Sequence, residues 1–197
     1  IFLNFNMSYK LRIDTERLIG RIEKLGNIGS IEGGGVCRLA LSDEDRKGRD
    51  LVVDWMKKLN LDITIDQIGN VVALRKGKEN VKPVMTGSHI DTVATGGIFD
   101  GNLGVLAGLE VIETLNDAGV VTRKPIGVGF FTNEEGSRFA PDMMGSGVHQ
   151  GSLDLNTMLK VKDMDGKSVG EELEKIGYAG KTPTNIFRAD SFIELHI

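Results

Sequence analysis

Residues 125–132, PIGVGFFT, form a near-continuous apolar stretch with no charge in it. A strand with one face in water alternates apolar and polar residues, whereas an apolar run of strand length must be covered on both faces. Helices on either side of a sheet meet that need, and this constrains the fold more than any other feature of the chain. Around the run, helical and extended patterns alternate. Asp14 is placed to cap a helix in which Leu18, Ile22 and Leu25 recur three or four apart, and residues 26–35 follow as a glycine-rich connection. Ser42, with Asp43, Glu44 and Asp45 in the first turn, starts a second helix whose expected buried face is Leu51, Val52, Trp55, Met56 and Leu59. Residues 62–67 and 71–74 read as a hairpin around Gly69-Asn70. Val84-Met85-Thr86 begins a short strand ending at His89, residues 101–115 read as a helix, and 143–149 as a short helix. Residues 158–177 are polar with a helical core over 169–176, and 186–197 read as a final strand. The pattern predicts an α/β fold: a mainly parallel mixed sheet flanked by helices.

Composition narrows the function classes. At 197 residues with 40% hydrophobic content the chain can bury a core, and 26% charged residues is ordinary for a globular domain. A net charge of -4 offers no basic field for a phosphate backbone, and no block of Lys or Arg suggests an anionic bilayer. Neither nucleic acid nor membrane is an expected partner, and no apolar run approaches the ~20 residues that span a bilayer. The lone Cys37 forms no internal disulfide and fits a reducing compartment, so the cytoplasm is the expected location. Residues 1–6 precede Met7 without a positive charge, unlike a secretory signal. Met7 is read as the natural start, with residues 1–13 an N-terminal extension and 14–197 the folded part.

Metal-ligating residue types stand where the apolar strands run out into glycine-rich turns, which is where open α/β sheets build their sites. His89 and Asp91, two apart at a strand end, leave the same face of an extended backbone, so one can ligate a metal while the other supports it; the plainer reading is a capped strand end. Asp100 lies between Gly96-Gly97 and Gly101, flexible residues that let its carboxylate swing towards His89, where its two oxygens can bridge metals about 3.5–4 Å apart. Asp-Gly is also an everyday turn. Glu134-Glu135 follows the doubly buried strand. There Glu135 is a candidate ligand, and Glu134 a candidate base that takes a proton from a bound water and delivers it to the leaving nitrogen, although such a pair is usually solvated. His196, among Ile193, Leu195 and Ile197, is either a core histidine or a further ligand. His149 has no carboxylate nearby in sequence and stays outside the site, Cys37 reads as structural, and Arg138 as a substrate contact or an ion pair. Three ligand-bearing strand ends in one α/β pattern point to a metal-dependent hydrolase.

The segments GVCRLALSDEDRKGRDLV, GSHIDTVATGGIFDGNLGVLAGLEV, FTNEEGSRF, MMGSGVHQG and the final IELHI together resemble the dinuclear metal amidohydrolases. That family includes N-carbamoyl-L-amino-acid hydrolases, β-ureidopropionases and allantoate amidohydrolases, relatives of metal-dependent aminoacylases and carboxypeptidases. The likeness runs from about residue 14 to the last residue and implies the N-terminal portion of a zinc-exopeptidase-like catalytic domain. It implies that His89, Asp100 and His196 hold one divalent metal, that Asp100 and Glu135 hold a second, that Glu134 is the general base and that Asp91 orients His89. Zn or Mn are the metals implied, with Co or Ni also suited to carboxylate and histidine ligands. Such a pair brings the pKa of a bridging water towards ~7 and polarises the carbonyl of a small ureido or amide substrate. The eleven-residue step from His89 to Asp100 resembles the carbamoylase branch more than the peptidases, which carry a longer connection. Cys37 stands where many relatives have threonine.

Family members continue past the last motif into a smaller lid and dimerisation domain and a returning segment with another histidine ligand. The resemblance therefore implies a homodimer for the full-length form, and a 197-residue chain that binds at most one metal, weakly, and does not hydrolyse substrate. Two rival readings stand beside it. One is an exopeptidase or aminoacylase of the same fold, against which the short His89–Asp100 connection argues; the other is a non-catalytic fragment serving in assembly.

Overall fold

The computed structural model describes residues 10–186 and 188–197. The expected start at Met7 and most of the 1–13 extension lie outside the described residues, and residues 10–13 are exposed and without regular structure. Asp14 accepts from the Arg17 amide to cap α1 (Thr15–Gly26), and Ser42 accepts from the Asp45 amide to cap α2 (Asp43–Lys58). Leu18, Ile22 and Leu25 are buried on α1. The face that α2 buries is Val52, Val53, Trp55 and Met56, with Leu51 and Leu59 only half-buried against it. Asp45 stands in the first turn of α2 as expected. It is fully buried, and one carboxylate oxygen accepts from both Arg49 Nε and the Leu41 amide, at 2.8 Å each.

After α2 come β1 (Asp62–Ile65), β2 (Val71–Arg75), β3 (Val84–His89), α3 (Asn102–Asp117) and β4 (Ile126–Phe131). They are followed by α4 (Met144–Gln150), α5 (Leu155–Met158), α6 (Val169–Ile176) and β5 (Ser191–Ile193). The five strands make one sheet in the order β1-β2-β4-β3-β5. β3 pairs in parallel with β4 and β5, and β2 pairs antiparallel with β1 and β4, so every strand but β2 runs the same way. This is the mainly parallel mixed sheet expected. The central β4 buries residues 127–130, as its apolar sequence requires. α1 packs against α3, and α3 packs on β3 and β4. Its approach is close because residue 108 is glycine: a Cβ there would lie 2.6 Å from Thr86 Cγ2. The parallel register pairs His89 with Phe131, so the two strands end together and their exit turns lie side by side.

The final strand is much shorter than the expected 186–197, of which Phe187 lies outside the described residues. Only Ser191–Ile193 pairs with β3, and all three residues are exposed. Beyond them Glu194 accepts from Ser88 Oγ at 2.6 Å, a side-chain contact that takes the place of further ladder bonds. No helix among the described residues is long and apolar enough to cross a membrane.

Candidate metal centre

His89 is the last residue of β3 and its ring is buried. Nδ1 lies 2.9 Å from the Asp91 carbonyl oxygen. A carbonyl only accepts, so Nδ1 carries the proton and the lone pair is on Nε2, the tautomer a metal-ligating histidine adopts. Around Nε2 stand His196 Nε2 at 3.4 Å, Asp100 Oδ1 at 3.8 Å and Glu134 Oε2 at 3.3 Å. Asp100 Oδ1 is also 3.7 Å from His196 Nε2. His89, Asp100 and His196 thus each offer one ligand atom, all within 4.8 Å of one another. Donors about 2.0–2.2 Å from a tetrahedral ion are separated by roughly 3.4 Å, so the spacing and the nitrogen and oxygen donors suit a divalent metal.

Local backbone accounts for the convergence. Gly101, directly after Asp100, has φ +63°, and a Cβ there would lie 2.5 Å from the His89 ring. Only glycine allows α3 to start against that ring. The Leu195 carbonyl similarly uses the space left by Gly104, where a Cβ would sit 2.7 Å from its oxygen. With Ser88 holding Glu194, this brings His196 over the end of β3 even though it lies beyond the strand.

After β4 the chain turns at Asn133, whose φ is +53° and whose amide group donates to the carbonyls of Phe139 and Pro141. The turn presents Glu134 and Glu135, and their amides donate to the two oxygens of the Asp91 carboxylate at 3.3 Å each. Asp91 therefore meets His89 through its backbone carbonyl, with its carboxylate 3.9 Å from Nδ1 and engaged with the acidic turn. Burial raises the Asp91 carboxyl to about 6, opposed by His89 and the two amides. Burial also pushes the Glu135 carboxyl up, against the pull of His89 and with the repulsion of Asp100 and Glu134. Glu135 Oε1 is buried and has no hydrogen-bond partner among the described residues. An orphaned carboxylate oxygen beside further carboxylates is what a cation would satisfy.

The other residues singled out lie elsewhere. Arg138 is occupied by ion pairs to Asp163 (2.9 Å) and Glu172 (2.7 Å) and donates to the Ala40 carbonyl. His149, near the end of α4, has its ring 6.1 Å from that of Phe131. Cys37 is half-buried, with its amide bonded to the Gly29 carbonyl. The sequence reading missed two fully buried arginines: Arg49, paired with Asp45 between the rings of Phe130 and Tyr178, and Arg38, which binds the Ile90 carbonyl next to His89. The four-residue spacing of Asp45 and Arg49 was a usable signal for the first, whereas nothing local marks Arg38.

The sheet, with its cluster of donors at the strand ends, places the chain in the zinc-peptidase-like α/β class. Residues 70–188 match Peptidase family M28. The chain is 41% identical over 187 residues to an N-carbamoyl-L-amino-acid amidohydrolase of Rhizobium meliloti, covering 94% of this chain and 45% of that protein. It is 31% identical to a ureidoglycolate hydrolase of Arabidopsis thaliana, covering 100% of this chain and 43% of that protein. Among solved structures, an amidase of the hydantoinase/carbamoylase family from Burkholderia multivorans superposes with a TM-score of 0.93 at 50% identity, covering 95% of this chain and 46% of that one. The chain spans about half the length of the relatives it matches. It belongs to Peptidase family M28.

Proposed function

We propose that the whole protein is a metal-dependent amidohydrolase that cleaves the C–N bond of N-carbamoyl-L-amino acids or related ureido compounds. The observation that carries this is the convergence of His89, Asp100 and His196 with Glu134 Oε2 at 3.3 Å from His89 Nε2, in a chain 41% identical to an enzyme of that name. His89, Asp100 and His196 would hold one divalent ion, and Asp100 with Glu135 would contribute to a second, with Zn or Mn favoured and Co or Ni also suited. Bound there, such ions supply a more acidic water and a polarised carbonyl. Glu134 takes the water's proton and passes it to the leaving nitrogen. Asp91 holds both halves of this arrangement, fixing the His89 tautomer through its carbonyl and the Glu134–Glu135 turn through its carboxylate. A carbamoyl substrate and one water then yield ammonia, carbon dioxide and the free amino acid.

Residues 14–197 form in this reading the N-terminal portion of the catalytic domain of a whole protein that works in the cytoplasm as a homodimer, with a small molecule rather than nucleic acid or membrane as partner. The family match to peptidases favours one competing reading, an exopeptidase or aminoacylase. A substrate panel with saturating Mn or Zn separates the two. N-carbamoyl-L-amino acids, ureidopropionate or allantoate are expected to turn over faster than dipeptides and N-acetyl amino acids, and faster dipeptide cleavage transfers the assignment to the exopeptidase.

A further inference from the structure

Arg38 is fully buried, and its guanidinium ties together three parts of the chain. Nη1 donates to the carbonyls of Leu25 (2.9 Å) and Ile28 (2.8 Å) at the end of α1, Nε to the Ile90 carbonyl (2.7 Å), and Nη2 to Asn102 Oδ1 (3.0 Å). Its backbone adds two bonds to the same exit from β3: the Arg38 amide donates to Thr92 Oγ1 at 2.8 Å, and the Thr92 amide to the Arg38 carbonyl at 2.9 Å. Ile90 lies between His89 and Asp91. Asn102 follows Gly101, which packs on the His89 ring, and Asn102 Nδ2 closes the loop that carries Asp100 by donating to the Ile98 carbonyl at 3.0 Å. One side chain therefore fixes both segments that bring His89 and Asp100 together.

The bonding is costly for a simple brace. Every acceptor of Arg38 is neutral, whereas the other fully buried arginine, Arg49, has the carboxylate of Asp45 at 2.8 Å. A buried cation held only by dipoles carries a desolvation penalty that no counter-charge at hydrogen-bond distance repays. That burial lowers the Arg38 pKa, with the charges of Asp45 and Asp91 opposing. Of the four carboxylates around the site, Asp91, Asp100, Glu134 and Glu135, the Arg38 charge acts on Asp91.

We propose that Arg38, acting through Ile90 and Asn102, is a positioning residue that sets His89 and Asp100 for metal binding. The inference rests on the metal-site reading above. The test compares Arg38→Lys and Asn102→Ala with Arg49→Lys, a matched change at a buried arginine whose side chain bonds Asp45, Gly69 and Thr132 and no residue next to His89 or Asp100, all in the 197-residue chain. Affinity for Co(II) is read from its visible spectrum, and the His89 tautomer from nitrogen-15 NMR of the metal-free protein. Arg38→Lys and Asn102→Ala are expected to weaken Co(II) binding by about 10–100-fold, the usual effect of losing support behind a ligand. They should also mix the His89 tautomers, while Arg49→Lys lowers thermal stability and leaves both readouts alone. Folded Arg38→Lys with unchanged affinity and tautomer overturns the proposal, as does an equal loss of affinity in Arg49→Lys. If Arg38→Lys does not fold, Asn102→Ala decides by the same criteria. If the unmodified chain binds no Co(II), the metal reading fails, and the tautomer in the variants alone upholds or overturns the role of Arg38.

Discussion

Glu134 and Glu135 are neighbours in sequence with different surroundings. Glu134 reaches His89 Nε2 at 3.3 Å and is partly open to solvent, while Glu135 keeps one oxygen buried without a partner. In the active whole protein, Glu134→Gln is expected to retain metal and lose about 10²–10⁴-fold in turnover, because an amide cannot take the water's proton. Glu135→Ala is expected to lose metal. Metal analysis beside steady-state kinetics distinguishes them, and high activity in Glu134→Gln would remove the base assignment. His89, Asp91, Asp100 and the acidic pair were legible in the sequence because ligand-type residues at the ends of apolar strands have few other reasons to cluster. The double duty of Asp91 was not legible, since a two-residue spacing shows which face the side chain takes but not that its carboxylate would reach amides 43 and 44 residues away. Arg38 was hidden for the same reason: its partners are carbonyls and an amide oxygen 10 to 64 residues distant, and no sequence pattern encodes an acceptor that every residue carries.

The capped helices and the β1–β2 hairpin were readable because their signals are local, and the shortening of the last strand was not, because it depends on Ser88 meeting Glu194 across 106 residues. The hairpin turn carries its own titration. Asp66 accepts from the amides of Ile68 (3.1 Å) and Asn70 (2.8 Å) and from Asn70 Nδ2 (2.9 Å), and Asn70 in turn bonds the Thr132 amide and the Gly145 carbonyl. Burial pushes the Asp66 carboxyl up to about 6, against the hydrogen bonds from Asn70 and Ile68. The folded state therefore binds this proton more readily than the unfolded chain, whose aspartates titrate near ~3.9. Its contribution to stability is complete below about 4 and is lost as the pH rises through about 6. Urea unfolding of the natural chain and of Asp66→Asn across that window should show the natural chain losing stability relative to the variant as pH rises. A difference independent of pH contradicts the assignment.

At the scale of the molecule, one sheet does the positioning. β3 and β4 run parallel and end together, α3 begins against the last residue of β3, and the segment after β5 folds back over the same point. The class of fold followed from the alternation of helices with apolar strands and from the doubly buried β4, both properties of composition along the chain. How the donors meet depends on three close approaches, at Gly101, Gly104 and Gly108, whose glycines are unremarkable in sequence and decisive in space. The proposed chemistry requires His89, Asp100 and His196 to form a metal site. Calorimetric titration of the 197-residue chain with Zn(II) tests this most directly. One ion per chain is predicted, with binding abolished in His89→Ala and weakened in His196→Ala, since three protein ligands are the usual complement of a catalytic zinc. No binding by the unmodified chain, or binding that both substitutions leave unchanged, would contradict it.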